Sequence, residues 1–302
     1  MPATEPPPIR SIAIVGVGLL GGSVAKTLRR IDSTVHTVGY ARDAAAADRL
    51  RRYAWLSDVQ TDLTAVCQNI DVVVIATPVD QIADLARRCH DASGPTTLIT
   101  DVGSTKAAIA DQTADLPRFI AAHPIAGSEQ SGAAAATDDL FTGKTTILTP
   151  AQNADAAMTD RAESFWRHLG TTILTLTPAQ HDRHLAAVSH MPHLIAAIVA
   201  RQTPPAAGPI VGSGWRDITR VAAGDVAMWT AIVAANRSAI TASLRSAADD
   251  LQQLIDNLDN PAAVQSFLST ARAIRNDPAF QDEPNAEPNA EPNANPTNRQ
   301  TP

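Results

Sequence analysis

The sequence predicts an α/β protein in which a parallel-sheet domain is followed by an all-helical domain. Over the first 176 residues, short apolar runs rich in β-branched residues alternate with helical patterns, as in parallel sheets with crossover helices. The glycines of the first turn have the spacing G-x-G-x-x-G. After residue 177 the strand-like runs cease and only helical spacing remains.

The first glycine-rich turn follows a predicted strand at 11–15 and opens a helix at 19–30. In such a turn the first glycine permits the tight bend, the second admits a pyrophosphate and the third lets helix and strand pack closely. The helix N-terminus adds free N–H groups for the phosphates. This context favours a Rossmann-type dinucleotide-binding domain over an ordinary turn. The expected cofactor-binding residues are Gly16, Gly18, Leu19, Leu20 and Gly21.

The end of the second predicted strand, 35–40, bears on the choice between NAD and NADP. An acidic residue there binds the ribose 2′-OH of NAD, whereas an arginine accommodates the 2′-phosphate of NADP. Ala41 occupies this position and Arg42 follows, which favours NADP. The alternative is that Arg42 faces water while Asp43 caps the next helix. The two interpretations carry equal weight, so the cofactor stays NAD or NADP.

Two later strands end in polar turns at the sheet edge where ligands bind in open α/β folds. Strand 71–77 ends at Thr77 and Pro78, which we expect to contact the cofactor. Strand 97–102 leads to Ser104, which is either the N-cap of a helix at 106–113 or a ligand contact.

His123 follows the next predicted strand, 118–122. A histidine at the carboxyl end of a strand, in a sheet that binds a dinucleotide, favours a catalytic role. The parallel-sheet domain is completed by a helix and two closing strands, at 154–169, 145–148 and 171–176.

The helical half begins at a predicted capping box, residues 177–180, whose helix continues to about residue 202. His190 and His193 are three residues apart and share a face of this helix. Pro192 lies between them and no H-E-x-x-H pattern is present, so we predict a polar wall of a substrate cavity and no metal site.

A second helical segment, 215–224, carries Arg216, Asp217 and Arg220 on one turn. Asp225 is then predicted to cap one long helix over 226–259, and a last helix spans 262–274. Helices this apolar must bury a face, which predicts a homodimer. The EPNA repeats predict a disordered tail. The predicted domains are therefore residues 1–176, 177–281 and 282–302.

Bulk composition narrows the function classes. The chain has 302 residues, 44% of them hydrophobic and 18% charged, and a net charge of −7, which disfavours a nucleic-acid partner. No apolar run is long enough to cross a membrane, and the N-terminus lacks a signal peptide pattern. The two cysteines form neither a metal spacing nor a disulfide framework, so we expect a cytoplasmic protein acting on a small-molecule substrate.

From about residue 12 to about residue 239, the chain resembles the prephenate and arogenate dehydrogenases of tyrosine biosynthesis. The order and spacing of several segments carry the resemblance: GVGLLGGS at 16–23, ATP at 76–78, DVGSTK at 101–106, HPIAGSEQSG at 123–132, LF at 140–141, SHMPH at 189–193, WRDITR at 215–220 and Met228, Trp229 and Asn236. The resemblance implies hydride transfer from the substrate ring to NAD(P), with NAD as the cofactor that the family favours, and loss of the ring carboxylate as CO₂. No adjoining chorismate mutase or regulatory ACT domain is expected.

The resemblance also implies site residues. His123 is similar to the base on the ring hydroxyl, with Ser104 as a second partner of that hydroxyl and Arg220 as the clamp on a substrate carboxylate. Further implied pocket residues are His193, His190, Glu129 as a gate, Asp217 orienting Arg220, and Trp229 closing the site from the partner subunit.

Several alternatives stay open at this point. Prephenate and arogenate differ only by a keto group against an amine, and the sequence does not separate them. A hydroxyacid dehydrogenase would place a lysine on the helix after the last strand, but 181–202 contains none. A non-catalytic NAD(P)-binding protein would bind the cofactor without turnover.

Overall fold

A computed structural model of the chain describes residues 8–127 and 130–280. The chain folds into two compact units, Met1–Leu244 and Arg245–Pro302. The predicted tail, 282–302, lies outside the described residues, and the domain boundary predicted at residue 176 stays a prediction.

Eight strands form one sheet in the first unit, in the order β3-β2-β1-β4-β5-β6-β7-β8. All neighbouring strands pair in parallel except β6 and β7, which are antiparallel. The strands are β1 Ser11–Val15, β2 His36–Tyr40, β3 Asp58–Gln60, β4 Val72–Ile75, β5 Leu98–Asp101, β6 Phe119–Pro124, β7 Thr145–Thr149 and β8 Thr172–Thr175. This order confirms the predicted fold class, and the short β3 was not predicted because only Val59 in it is buried.

Twelve helices accompany the sheet in the described part of the chain. They are α1 Leu19–Ile31, α2 Ala44–Leu50, α3 Leu63–Cys67, α4 Val79–Ala92, α5 Ala107–Gln112, α6 Ala156–His168, α7 Pro178–Leu185, α8 Met191–Gln202, α9 Ser213–Thr219, α10 Val226–Ala235, α11 Arg237–Asp256 and α12 Pro261–Arg275. No single helix among the described residues meets the length and hydropathy of a membrane span; the pair Ser213–Ala223 and Val226–Ala235, bent by 76°, meets them only when taken together.

The central strands β1 and β4 are buried on both faces of the sheet, which explains their apolar sequences, whereas the edge strands β3 and β8 are largely exposed. Alternate residues of β1 point to opposite cores: Ile12 and Ile14 to one, Ala13 and Val15 to the other. Helices α1 and α6 cover the first face, and α3, α4 and α5 cover the second. The thiols of Cys67 on α3 and Cys89 on α4 are fully buried in the second core and unbridged.

The single helix predicted after the capping box contains an unpredicted irregularity. The capping box itself is present, with Thr177 and Gln180 bonded reciprocally. A π-helical turn, Ala186–His190, separates α7 from α8, and the N–H of Met191 reaches back to the carbonyl of Ala186. Pro192 explains the wider turn, because proline has no N–H to continue the α-helical ladder and its ring crowds the preceding turn.

The predicted long helix over 226–259 is wrong, because it is broken at Asn236. That residue leaves helical geometry at φ −109° and ψ 29°, between α10 and α11. Its amide is buried and donates to the backbone carbonyl of Asp182 at 2.8 Å. Tertiary hydrogen bonds therefore override local helix propensity here. The predicted cap is present, since the carboxylate of Asp225 accepts from the N–H of Met228.

The glycine turn yields a stability prediction. A Cβ on Gly21 would lie 2.3 Å from the carbonyl oxygen of Gly16, whereas a Cβ on Gly18 would meet no atom within 4 Å. We expect Gly21→Ala to lower the free energy of unfolding by roughly 1–3 kcal/mol. The matched control Gly18→Ala should change it by less than about 0.5 kcal/mol. Urea unfolding followed by circular dichroism measures both, and equal losses would contradict the packing argument.

Candidate active site

The glycine turn lies where the strand order reverses, between the carboxyl ends of β1 and β4. Gly16 has φ +102°, and a Cβ there would lie 2.4 Å from the carbonyl oxygen of Ala76. Only glycine fits this close approach of two chain segments. The open space over Gly18 leaves the backbone accessible at the start of α1, as phosphate binding requires.

A cavity of about 680 Å³ extends from this turn. Of the expected cofactor-binding residues, Gly16, Gly18, Arg42, Thr77 and Pro78 line it. The other three expected residues, Leu19, Leu20 and Gly21, occupy the first turn of α1. There the side chain of Leu20 packs on the core and Gly21 lies close to the strand.

Four arginines line the same cavity: Arg42, Arg49 and Arg52 from the segment after β2, and Arg88 from α4, which pairs with Asp84 at 3.4 Å. The two features of the alternative interpretation, a water-facing Arg42 and Asp43 as the cap of the next helix, are also both present. The carboxylate of Asp43 accepts from the N–H of Ala46 at 2.7 Å and caps α2, and the side chain of Arg42 is 83% exposed beside it. Ala41, at the expected acidic position, is buried.

His123 lies on β6, one residue before its end, and its ring is held by a second histidine. Its Nδ1 lies 2.8 Å from Nε2 of His181 on α7. The Nδ1 of His181 in turn lies 2.8 Å from Oδ1 of Asp182. Burial, and then the nearby Lys106 ammonium, lower the pKa of His123 well below its ordinary value. A neutral imidazole at this position can accept a proton.

A buried ion pair lies behind the histidines. Nζ of Lys106 is 2.6 Å from Oδ2 of Asp101, and both side chains are completely buried. The same carboxylate accepts from the N–H groups of Gly103 and Ala122, at 2.8 and 2.9 Å. Burial lowers the pKa of Lys106, and Asp101 opposes that shift. This pair fixes β5, β6 and the start of α5 around one carboxylate.

Ser104 is not the N-cap of α5, contrary to the first expectation for it. The helix starts at Ala107, and its first N–H groups are capped from α7. The carboxylate of Asp182 accepts from N–H of Lys106 at 2.8 Å and of Ala107 at 2.9 Å. A carboxylate suits this position because it complements the helix dipole. Ser104, half-buried between β5 and α5, keeps the ligand contact as its predicted role.

His190 and His193 both face Trp229 of the same chain. The rings of His193 and Trp229 stack with centroids 3.5 Å apart, and His190 meets Trp229 edge-on at 6.0 Å. The expectation that Trp229 closes the site from the partner subunit stays a prediction. Glycine at position 224 leaves room for this stack, because a Cβ there would lie 2.7 Å from Nε1 of Trp229.

Asn236 determines the proton position on His190. Its Nδ2, which only donates, lies 3.1 Å from Nδ1 of His190. His190 therefore carries its proton on Nε2, and this buried nitrogen has no hydrogen-bond partner among the described residues. Burial lowers the pKa of His190 to about 4, so it is a neutral donor. An unsatisfied buried donor costs about 1–3 kcal/mol, which a ligand oxygen would recover.

The remaining predicted residues fall in two places. Arg220 is exposed and opens the short 3-10 turn Arg220–Ala223, which leads to Gly224 beside the stacked His193 and Trp229. Asp217 is exposed on α9, one turn earlier. Glu129 lies outside the described residues.

Sequence reasoning missed four residues of this site: Asp101, Lys106, His181 and Asp182. One signal for them was present. A lysine at the start of a predicted helix opposes the helix dipole, which indicates a specific acidic partner. The acidic residue that ends the preceding apolar strand, Asp101, is that partner.

Family models decide the assignment of the chain. The nucleotide-binding domain of prephenate dehydrogenase matches residues 24–175, and the dimerization domain of prephenate dehydrogenase matches residues 177–272. The chain belongs to the prephenate dehydrogenase family. The resemblance proposed from the sequence is thus confirmed.

Individual members of the prephenate dehydrogenase family agree with this assignment. The Bacillus subtilis prephenate dehydrogenase is 32% identical over 241 residues, covering 76% of this chain, and the alignment spans 65% of that relative's length. A structure of prephenate dehydrogenase from A. aeolicus, in complex with hydroxyphenyl propionate and NAD⁺, has a TM-score of 0.81 and 26% identity, covering 90% of this chain and 99% of that one. The Synechocystis arogenate dehydrogenase structure has a TM-score of 0.76 and 28% identity, covering 88% and 98%.

The buried ion pair yields a second stability prediction. Lys106→Met leaves the carboxylate of Asp101 buried without its cation, and we expect a loss of about 3–5 kcal/mol in the free energy of unfolding. The control Arg167→Met breaks the exposed pair with Glu163, 3.6 Å long, and should cost less than about 1 kcal/mol. Urea denaturation of both variants tests this, and a Lys106→Met protein as stable as the control would refute it.

Proposed function

We propose that the chain is a prephenate dehydrogenase that oxidises and decarboxylates prephenate to 4-hydroxyphenylpyruvate. The observation that carries the proposal is His123, a neutral base near the carboxyl end of β6, at the same edge of the parallel sheet as the glycine turn that follows β1. Gly16, Gly18, Thr77 and Pro78 would hold a nicotinamide dinucleotide, which would supply an acceptor for the hydride on the ring carbon that bears the hydroxyl. Arogenate, with an amine in place of the keto group, is the second candidate, because the relatives include an arogenate dehydrogenase.

His123 takes the proton of the ring hydroxyl as the carbonyl forms, and returns it to the oxygen once the ring has lost CO₂ and become aromatic. Ser104, half-buried at the carboxyl end of β5, is the second hydrogen-bond partner of that hydroxyl. These roles need a hydroxyl placed at the free Nε2 of His123, whose other ring nitrogen is occupied by His181.

The substrate carboxylates meet donors from the helical half. His190 offers an unpaired buried N–H, and the ring of His193 is held flat against Trp229. We assign Arg220 as the clamp, since a planar guanidinium pairs with a carboxylate through two parallel hydrogen bonds. Asp217 orients it from the preceding turn in this proposal.

A kcat-against-KM comparison tests these assignments, after initial rates with prephenate or arogenate and NAD or NADP have identified the substrate pair. His123→Asn should lower kcat roughly 10²–10⁴-fold, the size of a general-base contribution. Arg220→Ala should instead raise KM for the substrate by roughly 30-fold or more, as a lost buried ion pair would. Each variant is the other's control. A near-normal kcat in His123→Asn would show that His123 is not the general base. If the wild type turns over neither substrate, the proposed function is refuted.

For the cofactor, we propose NADP in preference to NAD. The segment after β2 lines the cavity with Arg42, Arg49 and Arg52, and the carboxylate of Asp43 caps α2 while it pairs with Arg42 at 3.3 Å. A ribose 2′-phosphate supplies the charge that these arginines match. We also propose a cytoplasmic location, where such dinucleotides are available and thiols stay reduced.

Removing one of these arginines tests the cofactor choice. Arg49→Ala should raise KM for NADP roughly tenfold or more, the loss of one charge-assisted hydrogen bond, and change KM for NAD less than about twofold. Arg51→Ala is the matched control, because Arg51 pairs with Asp48. Initial rates with each cofactor measure the effect, and a similar change for NAD and NADP would contradict a phosphate contact.

We propose that the active protein is a homodimer assembled through its helices. In the first unit, α10 is apolar on all sides, yet Ile232 is its one buried residue and Val226 is 79% exposed. In the second unit, α12 exposes Phe267, Leu268 and Ile274. Apolar surface of this extent marks an interface, and the matching family model is that of a dimerization domain.

A further inference from the structure

We propose that His181 and Asp182 are positioning residues that fix the proton positions on His123 and share the proton it receives. The proposal rests on the proposed role of His123 as a base. It starts from a chain of two contacts, His123 Nδ1 to His181 Nε2 and His181 Nδ1 to Asp182 Oδ1, each 2.8 Å long. All three residues lie in the first unit.

The ionisation state of Asp182 determines which ring nitrogens of His181 and His123 carry hydrogen. Burial raises the pKa of Asp182, but hydrogen bonds from His181, Ala107 and Lys106 outweigh it and hold the net pKa below its ordinary value. The carboxylate therefore only accepts, so Nδ1 of His181 must carry hydrogen. Burial keeps His181 neutral by lowering its pKa, which leaves its Nε2 as a bare acceptor.

His123 must then donate from Nδ1 to His181. Because a neutral imidazole has one N–H, its Nε2 is left with a free lone pair. No described residue hydrogen-bonds to that nitrogen. His123 is thus in the one neutral tautomer that can act as a base toward a ligand. Asp182 fixes this tautomer through two successive hydrogen bonds, by way of His181.

The same chain of contacts relieves the charge that catalysis creates. A proton taken up at Nε2 of His123 places a positive charge near the ammonium of Lys106, which disfavours it. The N–H bond at Nδ1 can then break as one forms at Nε2 of His181, so that His123 is neutral again. The charge now lies on His181, where the hydrogen bond to the carboxylate of Asp182 favours it more than Lys106 disfavours it. Reversal returns the proton to the product oxygen, and no other reactant is consumed.

The charged and titratable groups around this relay come from several elements. Asp101 on β5 and Lys106 before α5 face it as an ion pair, and His190 from the π-helical turn faces His123. Asp182 is the carboxylate in direct contact with a ring of the relay. Its removal should therefore make the histidine pair bind its proton less tightly.

Nitrogen-15 NMR of the full-length protein with labelled histidine tests the tautomers without substrate. In the wild type we expect a protonated Nδ1 and a bare Nε2 on both His123 and His181. In Asp182→Asn one of the two accepting oxygens becomes an N–H donor, so the two histidines should no longer be fixed in a single tautomer. A wild-type His123 protonated at Nε2 would overturn the proposal, whether or not the proposed substrate is turned over.

Kinetics supply the second readout. His181→Asn keeps the carboxylate that caps α5 and should lower kcat at least about tenfold with KM changed less than about threefold. His184→Asn, an exposed histidine of the same helix, is the matched control. Wild-type kcat in His181→Asn would overturn the relay. If the wild type itself is inactive, the proposed function fails and the NMR result alone decides the relay.

The pH profile separates positioning from a purely structural role. The base must be unprotonated, so kcat/KM falls on the acidic side of the apparent pKa of the histidine pair. Asp182→Asn should move this acidic limb to lower pH. Asp155→Asn is the control, because it alters the carboxylate cap of another helix, α6. An unmoved limb in Asp182→Asn would show that Asp182 serves only as the cap of α5 and would overturn its assigned role.

Discussion

The carboxylate of Asp182 joins the helical half of the chain to the sheet. It accepts two backbone N–H groups at the start of α5 and one ring N–H from His181, while the backbone carbonyl of the same residue holds Asn236. Three separate segments therefore meet at one acidic residue. Because burial removes water from the carboxylate, the three N–H groups that donate to it, from Lys106, Ala107 and the ring of His181, stabilise its negative charge in the interior.

This arrangement explains why the candidate base is rigid. His123 belongs to β6, which is hydrogen-bonded to β5 on one side and β7 on the other. Its ring is fixed in turn by a histidine that is fixed by Asp182. The imidazole is thus held from its backbone and from one ring nitrogen, and its other nitrogen is left for a ligand.

The sequence predicted the fold well where periodicity and glycine spacing act locally. Strand Ser11–Val15, the glycine turn and the capping box at Thr177 follow from neighbouring residues alone. The break at Asn236 and the cap of α5 did not follow, because both depend on Asp182. The same holds for the site. His123 was predicted from its place after a strand, whereas the role of His181 depends on its contact with His123, 58 residues away in the sequence.

The buried thiols of Cys67 and Cys89 provide a probe of local opening in this protein. Both are inaccessible in the core beneath the nucleotide-binding half, on two helices that pack together. A thiol reagent reaches them only when that core opens. Their rate of alkylation therefore reports how often this half of the molecule opens by local unfolding. The rate should fall when a bound dinucleotide stabilises the closed state.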